Sequence, residues 1–302
     1  MKTYVISGAT GMIGRALAAY LLERGDRVLA LVRPDSARAA TMPRHQNLRL
    51  VGCDMADYAT YTPDEHADVF FHLAWAKTTG AGRDDMLAQW QNVRCALDAA
   101  NLAARFGCAK FVGAGSQAEY GPANVPLSAS TPADPQNGYG IAKYAAGKMT
   151  AALCRQLGLA HCWVRILSIY GEGDNANTLI MYLIRALSNG ETPELTPCEQ
   201  IWDYLYVGDA AAALAGVADR GRDGAIYALG SGQGRPLYEY VNILRDCVAP
   251  GACVAFGARA YYPHQPMYLV ADIRPLVADV GFAPRVSFAE GIRRILAAQK
   301  EE

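Results

Sequence analysis

The chain has 302 residues, of which 52% are hydrophobic and 19% charged, enough apolar material for a sizeable core and an argument against disorder. Its 28 basic residues balance 29 acidic ones to a formal net charge of -1, which supplies no field to hold nucleic acid or an anionic membrane. One large domain with a smaller appended lobe is the expectation at this length.

The first predicted strand is Thr3 to Ser7, and Met1-Lys2 leads directly into it without the basic flank, apolar stretch and cleavage site of a secretion signal. Gly8-Ala9-Thr10-Gly11-Met12-Ile13-Gly14 follows, opening a helix predicted over Gly14 to Arg24. A glycine triplet between a strand and a helix allows a tight turn and close approach of backbone to a pyrophosphate, beside free N–H groups at the helix N-terminus. A dinucleotide site is therefore expected at Gly8, Thr10, Gly11, Met12, Ile13 and Gly14. The second strand, Arg27 to Val32, runs into Arg33-Pro34-Asp35, with Arg33 standing 19 positions after Gly14. An arginine there accommodates the 2'-phosphate of NADP, with Arg15 and Arg38 able to reach the same region, whereas Asp35 keeps NAD open. NADP(H) is favoured.

The third strand, Leu48 to Val51, leads to Asp54-Met55, where the carboxylate could accept from an adenine amino group or simply cap a helix. The fourth, Val69 to Leu73, ends in His72-Leu73-Ala74-Trp75, expected to lie under the nicotinamide ribose, with His72 itself read as a core histidine. A helix over Gln89 to Phe106, containing Asn92, precedes the fifth strand, Lys110 to Gly113. Beyond it stands Gly115-Ser116-Gln117-Ala118-Glu119-Tyr120-Gly121. The helix predicted over Tyr139 to Leu157 places Tyr139 and Lys143 at i and i+4 on one face. A cation beside a phenol favours its ionised form, so Lys143 and an oxidised nicotinamide are expected to lower the pKa of Tyr139. Ser116 offers a hydroxyl to the same substrate oxygen, giving the catalytic set Ser116, Tyr139 and Lys143.

The sixth strand, His161 to Leu167, contributes Ile166 to the cofactor side and leads to Ser168. This alternation of strands and helices predicts an α/β, doubly wound parallel sheet. After Gly171 a loop, a helix over Thr178 to Ser188 and a turn-rich stretch over Pro193 to Gln200 suggest a second, smaller lobe interleaved with the first. Trp202 to Leu229 returns to strand-helix-strand, and Pro236 to Cys247 is helical before a Pro-rich stretch around Pro263 and Pro266. The domain expectation is 1–170 with 203–230 for the sheet domain, and 171–202 with 231–302 for the substrate lobe. The eight cysteines (Cys53, Cys95, Cys108, Cys154, Cys162, Cys198, Cys247, Cys253) show no metal-ligand spacing and read as small buried hydrophobes of a reducing compartment. No run approaches the roughly 20 apolar residues that span a bilayer, so a cytoplasmic protein with no metal is expected.

The glycine fingerprint, His72-Leu73-Ala74, Ser116 before Tyr120-Gly121, Tyr139 to Lys143, Arg165 to Gly171 and Trp202-Asp203-Tyr204 to Asp209 come in the order seen in extended short-chain dehydrogenases acting on nucleotide sugars. The resemblance covers nearly the whole chain. It implies a Rossmann-type domain, Ser-Tyr-Lys chemistry at a sugar carbon, a C-terminal lobe for the nucleoside diphosphate, and a homodimer. Relatives that are 4,6-dehydratases carry Asp and Glu just after the serine or threonine, and those that epimerise at C3 and C5 carry Cys where Ala118 stands. Gln117 and Ala118 argue against both. The chain looks most like the reductases of 4-keto-6-deoxy nucleotide sugars, the abequose-synthase type among them, which makes an NADPH-dependent 4-ketoreductase the leading expectation. A 4-epimerase retaining NAD stands second, and an NADP-binding redox sensor is a remote third. Ser168 replaces the asparagine of many relatives. Lys77, Arg83, Asn92, Asn177 and Trp202, with Ser116, Gln117 and Ser168, are candidates to line the sugar groove, and nothing in their residue types separates that role from packing.

Overall fold

The computed structural model describes residues 1–262 and 265–301; Pro263 of the Pro-rich stretch lies outside them. In chain order the elements are β1 (Thr3–Ser7), α1 (Met12–Glu23), β2 (Arg27–Val32), β3 (Leu48–Gly52), β4 (Val69–His72), α2 (Met86–Arg105), β5 (Lys110–Ser116), α3 (Gly138–Leu157), β6 (Ala160–Ile166) and β7 (Ser168–Tyr170). There follow α4 (Leu179–Ser188), β8 (Ile201–Trp202), β9 (Tyr204–Tyr206), α5 (Val207–Arg220), β10 (Ile226–Leu229), β11 (Arg235–Pro236), α6 (Leu237–Val248), β12 (Tyr268–Leu269), α7 (Arg274–Val280) and α8 (Phe288–Glu301).

Seven strands form one sheet in the order β3-β2-β1-β4-β5-β6-β10, every neighbouring pair parallel. Residues alternate between its two faces, as the twofold repeat of a strand requires. Tyr4, Ile6, Val28 and Ala30 pack with α1, α5 and α7, while Val5, Leu29, Leu31 and Phe70 pack with α2. Each fully buried aliphatic or phenyl side chain contributes roughly 1.5–3 kcal/mol, so these two cores hold the sheet between its helices. The strand order reverses between β1 and β4, where Ser7 pairs with His72. A doubly wound sheet opens its ligand crevice at such a reversal, outside the carboxyl ends of the strands.

β5 runs three residues further than the sequence pattern suggests. Gly113 and Gly115 look like loop formers, yet a Cβ at either would come within 2.3 or 2.4 Å of the Trp163 ring on β6. The glycines admit a tryptophan across the strand, and the strand carries Ser116 at its end.

A third core joins α4, α6 and α8, with Leu183, Ile184, Leu187, Leu244, Ile292 and Ile295 buried around Tyr170, Tyr240 and Phe288. The Tyr240 and Phe288 rings meet at 4.8 Å and the Tyr170 and Phe288 rings at 4.9 Å. Met12, Ile13 and Ala16 of α1 pack against this core as well, which ties it to the glycine turn. Asp203, fully buried, accepts from Ser231 and Gly232 N–H groups and from Ala271 N–H at 2.7–3.0 Å, stitching the end of β10 to the segment after β12. The sequence reading named no element for α7 or α8, although Phe288, Ile292, Ile295 and Leu296 carry the spacing of an amphipathic helix. Cys253 is exposed and Cys247 half-buried, unlike the six buried cysteines. Among the described residues no helix is long and apolar enough to cross a membrane.

Candidate active site

At the carboxyl end of β1 the chain turns through Gly8 at φ 72°, and a Cβ there would lie 2.7 Å from the Ala74 nitrogen. A Cβ at Gly14 would lie 2.3 Å from the Gly8 oxygen, so this glycine lets α1 pack onto the turn. No side chain caps the first turn of α1, which leaves its N–H groups to an anion. The cleft beyond is ≈ 320 Å³ and is lined by Gly8, Thr10, Gly11, Arg33, Asp54, Met55, Leu73, Ala74 and Trp75. This crowded backbone cradle, with a cation at the β2 end, fits a dinucleotide. Asp35 is not among the lining residues, whereas Arg15, Arg38 and Met12 line an adjoining cavity that shares Thr10.

The other predicted cofactor residues make further contacts within the protein. Ile13 and Ile166 pack against the main core. Asn92, 3% exposed, accepts from the Ala76 N–H and donates to the Ala76 carbonyl, both at 2.9 Å, and so fixes the strand-end backbone behind the cleft. Asp54 accepts from Ala56 N–H at 3.1 Å as a helix cap while still reaching the cleft. His72 is a core residue: its Nδ1 meets the Ser7 hydroxyl at 3.0 Å and burial pushes its pKa down to about 3.

Ser116, Tyr139 and Lys143 come together. Asn137 caps α3 by accepting from Gly140 N–H at 2.9 Å, which puts Tyr139 in the first turn, where the helix dipole favours a phenolate. Lys143, buried, donates from Nζ to the Ala114 carbonyl at 2.6 Å and lies 3.8 Å from the Trp75 ring centroid. Burial lowers its pKa to about 7, partly opposed by Glu119. Burial raises the Tyr139 pKa, the Ser116 hydroxyl and then the Arg83 guanidinium oppose the rise, and Glu119 adds to it. Lys143 Nζ lies 5.9 Å from the centre of the Tyr139 ring.

Sequence reading missed one residue of the site and gave another a different place. Glu119, 1% exposed, accepts from Ser116 N–H at 2.8 Å, Trp163 Nε1 at 3.0 Å and Arg165 Nε at 2.7 Å. Ser116 returns the bond by accepting from Ala118 N–H at 3.2 Å. The signal was present as the S-x-x-E spacing of a capping box. Arg83, named only as a groove candidate, stands 4.8 Å over the Tyr139 ring.

Gln117 is half-buried in the turn after Ser116 and Lys77 is exposed on the loop after β4 at φ 58°. Ser168 opens β7, Asn177 is exposed before α4, and Trp202 on β8 packs between the third core and a small cluster around Tyr120.

The model of the NAD dependent epimerase/dehydratase family matches residues 4–230. A CDP-abequose synthase of Salmonella typhimurium is 28% identical over 44% of this chain and 46% of its own length. A UDP-glucose 4-epimerase of Corynebacterium glutamicum is 23% identical over 93% of this chain and 90% of its own. The solved UDP-N-acetylglucosamine 4-epimerase from Methanobrevibacter ruminantium M1 superposes with a TM-score of 0.88 at 22% identity, covering 99% of both chains. With the match spanning the glycine turn, Ser116, Tyr139, Lys143 and the returning strand β10, the chain is an extended short-chain dehydrogenase/reductase and belongs to the NAD dependent epimerase/dehydratase family.

Proposed function

We propose that this protein reduces the 4-keto group of a nucleotide-linked, 6-deoxy sugar with NADPH. When bound, the nicotinamide supplies the hydride that adds to the carbonyl carbon. Tyr139 donates its phenolic proton to the carbonyl oxygen, and the Ser116 hydroxyl holds that oxygen by a hydrogen bond. Lys143, anchored by Ala114, stands beside Trp75 where it fixes the approach to Tyr139. The ketone thereby gains one hydride and one proton and becomes an alcohol.

The observation that carries this reading is the placing of Arg33, and not Asp35, against the cleft. A cation there suits a 2'-phosphate, hence the reduced, exchangeable cofactor of a one-way reductase. Gln117 and Ala118 add no second acid or base, which leaves Tyr139 to simple proton exchange. The partial likeness to a CDP-abequose synthase supports the nucleotide sugar and its reduction. A second reading, reversible oxidation and re-reduction at C4, is favoured by the nearly full-length likeness to a UDP-glucose 4-epimerase.

The test incubates the protein with NADPH or NADH and a panel of 4-keto-6-deoxy and ordinary UDP-, CDP-, dTDP- and GDP-sugars. Stoichiometric NADPH consumption with a two-hydrogen mass gain is expected; an isomer formed without net cofactor use selects the epimerase. Tyr139→Phe should cost about 10²–10⁴-fold in turnover and leave cofactor binding intact. We also propose a homodimer through the exposed apolar face of α2 and α3, where Leu87, Trp90 and Ile141 are 82%, 63% and 52% exposed, to be checked by sedimentation of the same preparation.

A further inference from the structure

We infer that Arg83 is a positioning residue that sets the acidity of Tyr139, supplying the fixed positive charge that the catalytic phenol needs in order to give up and regain its proton. This rests on the proton-transfer role proposed for Tyr139.

The geometry is specific. The Arg83 guanidinium carbon lies 4.8 Å from the centre of the Tyr139 ring, and its Nε is buried without a hydrogen-bond partner. A cation over an aromatic face is attracted by the ring, and more strongly once the phenol carries a negative charge delocalised into it. The nearest carboxylates in sequence are occupied elsewhere. Asp84 accepts from Gly138 N–H at 3.2 Å, and Asp85 accepts from Ala88 N–H at 3.1 Å with Lys77 at 3.9 Å.

The loop is also held in place. Gln89, 1% exposed, donates from Nε2 to the Lys77 and Gly82 carbonyls, each at 2.9 Å, while accepting from Trp75 Nε1 at the same distance. On the other side, a Cβ at Gly138 would come within 3.0 Å of the Arg83 carbonyl, so the loop sits directly on the first turn of α3.

Every neighbouring element contributes something to the field at Tyr139. From α3 itself comes Lys143, with Nζ 5.9 Å from the ring centre. From the end of β5 and its turn come the Ser116 hydroxyl and the Glu119 carboxylate, the latter paired to Arg165 on β6. From the end of β4 comes the neutral Trp75 ring, edge-on at 6.2 Å. From the loop comes Arg83, with Lys77, Asp84 and Asp85 behind it. Burial brings the Lys143 pKa down to about 7, which weakens its hold on its charge. A guanidinium keeps its charge throughout the working range, so Arg83 is the constant cation of the set.

The test labels tyrosine with ¹³C at Cζ in the full chain and titrates by NMR, with Tyr139→Phe identifying the resonance. Arg83→Met and Arg83→Gln should move the Tyr139 ionisation upward by about one pH unit or more, and Arg83→Lys should restore most of the shift. An unmoved resonance in both neutral variants, or an equal displacement in the lysine variant, overturns the proposal. The titration needs no turnover, so it stands or falls apart from the identity of the substrate. For any sugar that does react, the pH profile of kcat/KM should shift in parallel while KM for the cofactor stays put.

Discussion

Ser116 and Tyr139 meet the same substrate oxygen in the proposed reaction, yet they are held by opposite kinds of structure. Beneath Ser116 lies a floor in which Glu119 and Arg165 are 1% and 3% exposed and share a bond of 2.7 Å, with Trp163 laid over two strand glycines beside them. Above Tyr139 lies a loop, residues 77–85, that is largely open to solvent and pinned from behind by Gln89 and from beside by Gly138. The floor fixes geometry because every move in it would break a buried bond. The loop delivers charge: Arg83 is half-buried with its Nε unpartnered, while Lys77 stays exposed.

The sharpest way to break this contrast is to cut the floor. Glu119→Ala leaves the Arg165 guanidinium buried and unpaired, and the expected loss is about 3–5 kcal/mol in denaturant unfolding. Glu119→Gln keeps an acceptor for Ser116 N–H and should lose less. A loss below about 1 kcal/mol in the alanine variant would mean that the pair is dispensable and that the floor is held by packing.

A second measure uses pH. Two histidines of the core, His72 and His161, are pushed by burial from 6.5 down to about 3 and about 4. They stay neutral in the folded protein while the unfolded chain takes up protons as pH falls below 6.5. The unfolded state then binds more protons, so stability is fully present above that value and declines toward pH 4, by up to about 1.4 kcal/mol per pH unit for each imidazole. Unfolding midpoints at pH 7 and pH 5 check this, and His161→Asn should flatten its share.

The smallest effect is expected in the loop. Lys77 occupies φ 58°, a conformation that costs a side-chain-bearing residue about 1–2 kcal/mol, and Lys77→Gly removes that strain while adding unfolded-state entropy of about 0.5–1 kcal/mol. A net change within about 1 kcal/mol is expected by thermal unfolding. A large destabilisation would show that the Lys77 side chain, at 3.9 Å from Asp85, holds the loop after all.

Much of this molecule was legible in advance, unevenly. β1 and β2 keep the bounds expected of them, because their apolar runs are buried on both faces and bounded by charged or glycine residues. The glycine turn could be read because its need for a positive φ and a missing Cβ is met by one residue type. The sequence pattern stopped β5 at Gly113, three residues short, because what Gly113 and Gly115 accommodate is Trp163, far downstream in the chain. Asn92, expected at the cofactor, clasps Ala76 behind the cleft, and Gly14 admits α1 onto the glycine turn.

Sequence by itself determined the doubly wound sheet, the cradle at Gly8 to Gly14 and the i, i+4 pairing of Tyr139 with Lys143. Each follows from spacing and backbone sterics, which depend on near neighbours in the chain. Tertiary structure decided which cation faces the phenol, which carboxylate holds Ser116, and that Arg33 reaches the cleft where Asp35 does not. Those are matters of distance and burial, and they arise when the loop after β4, the turn after β5 and the first turn of α3 are brought together by the strands that carry them.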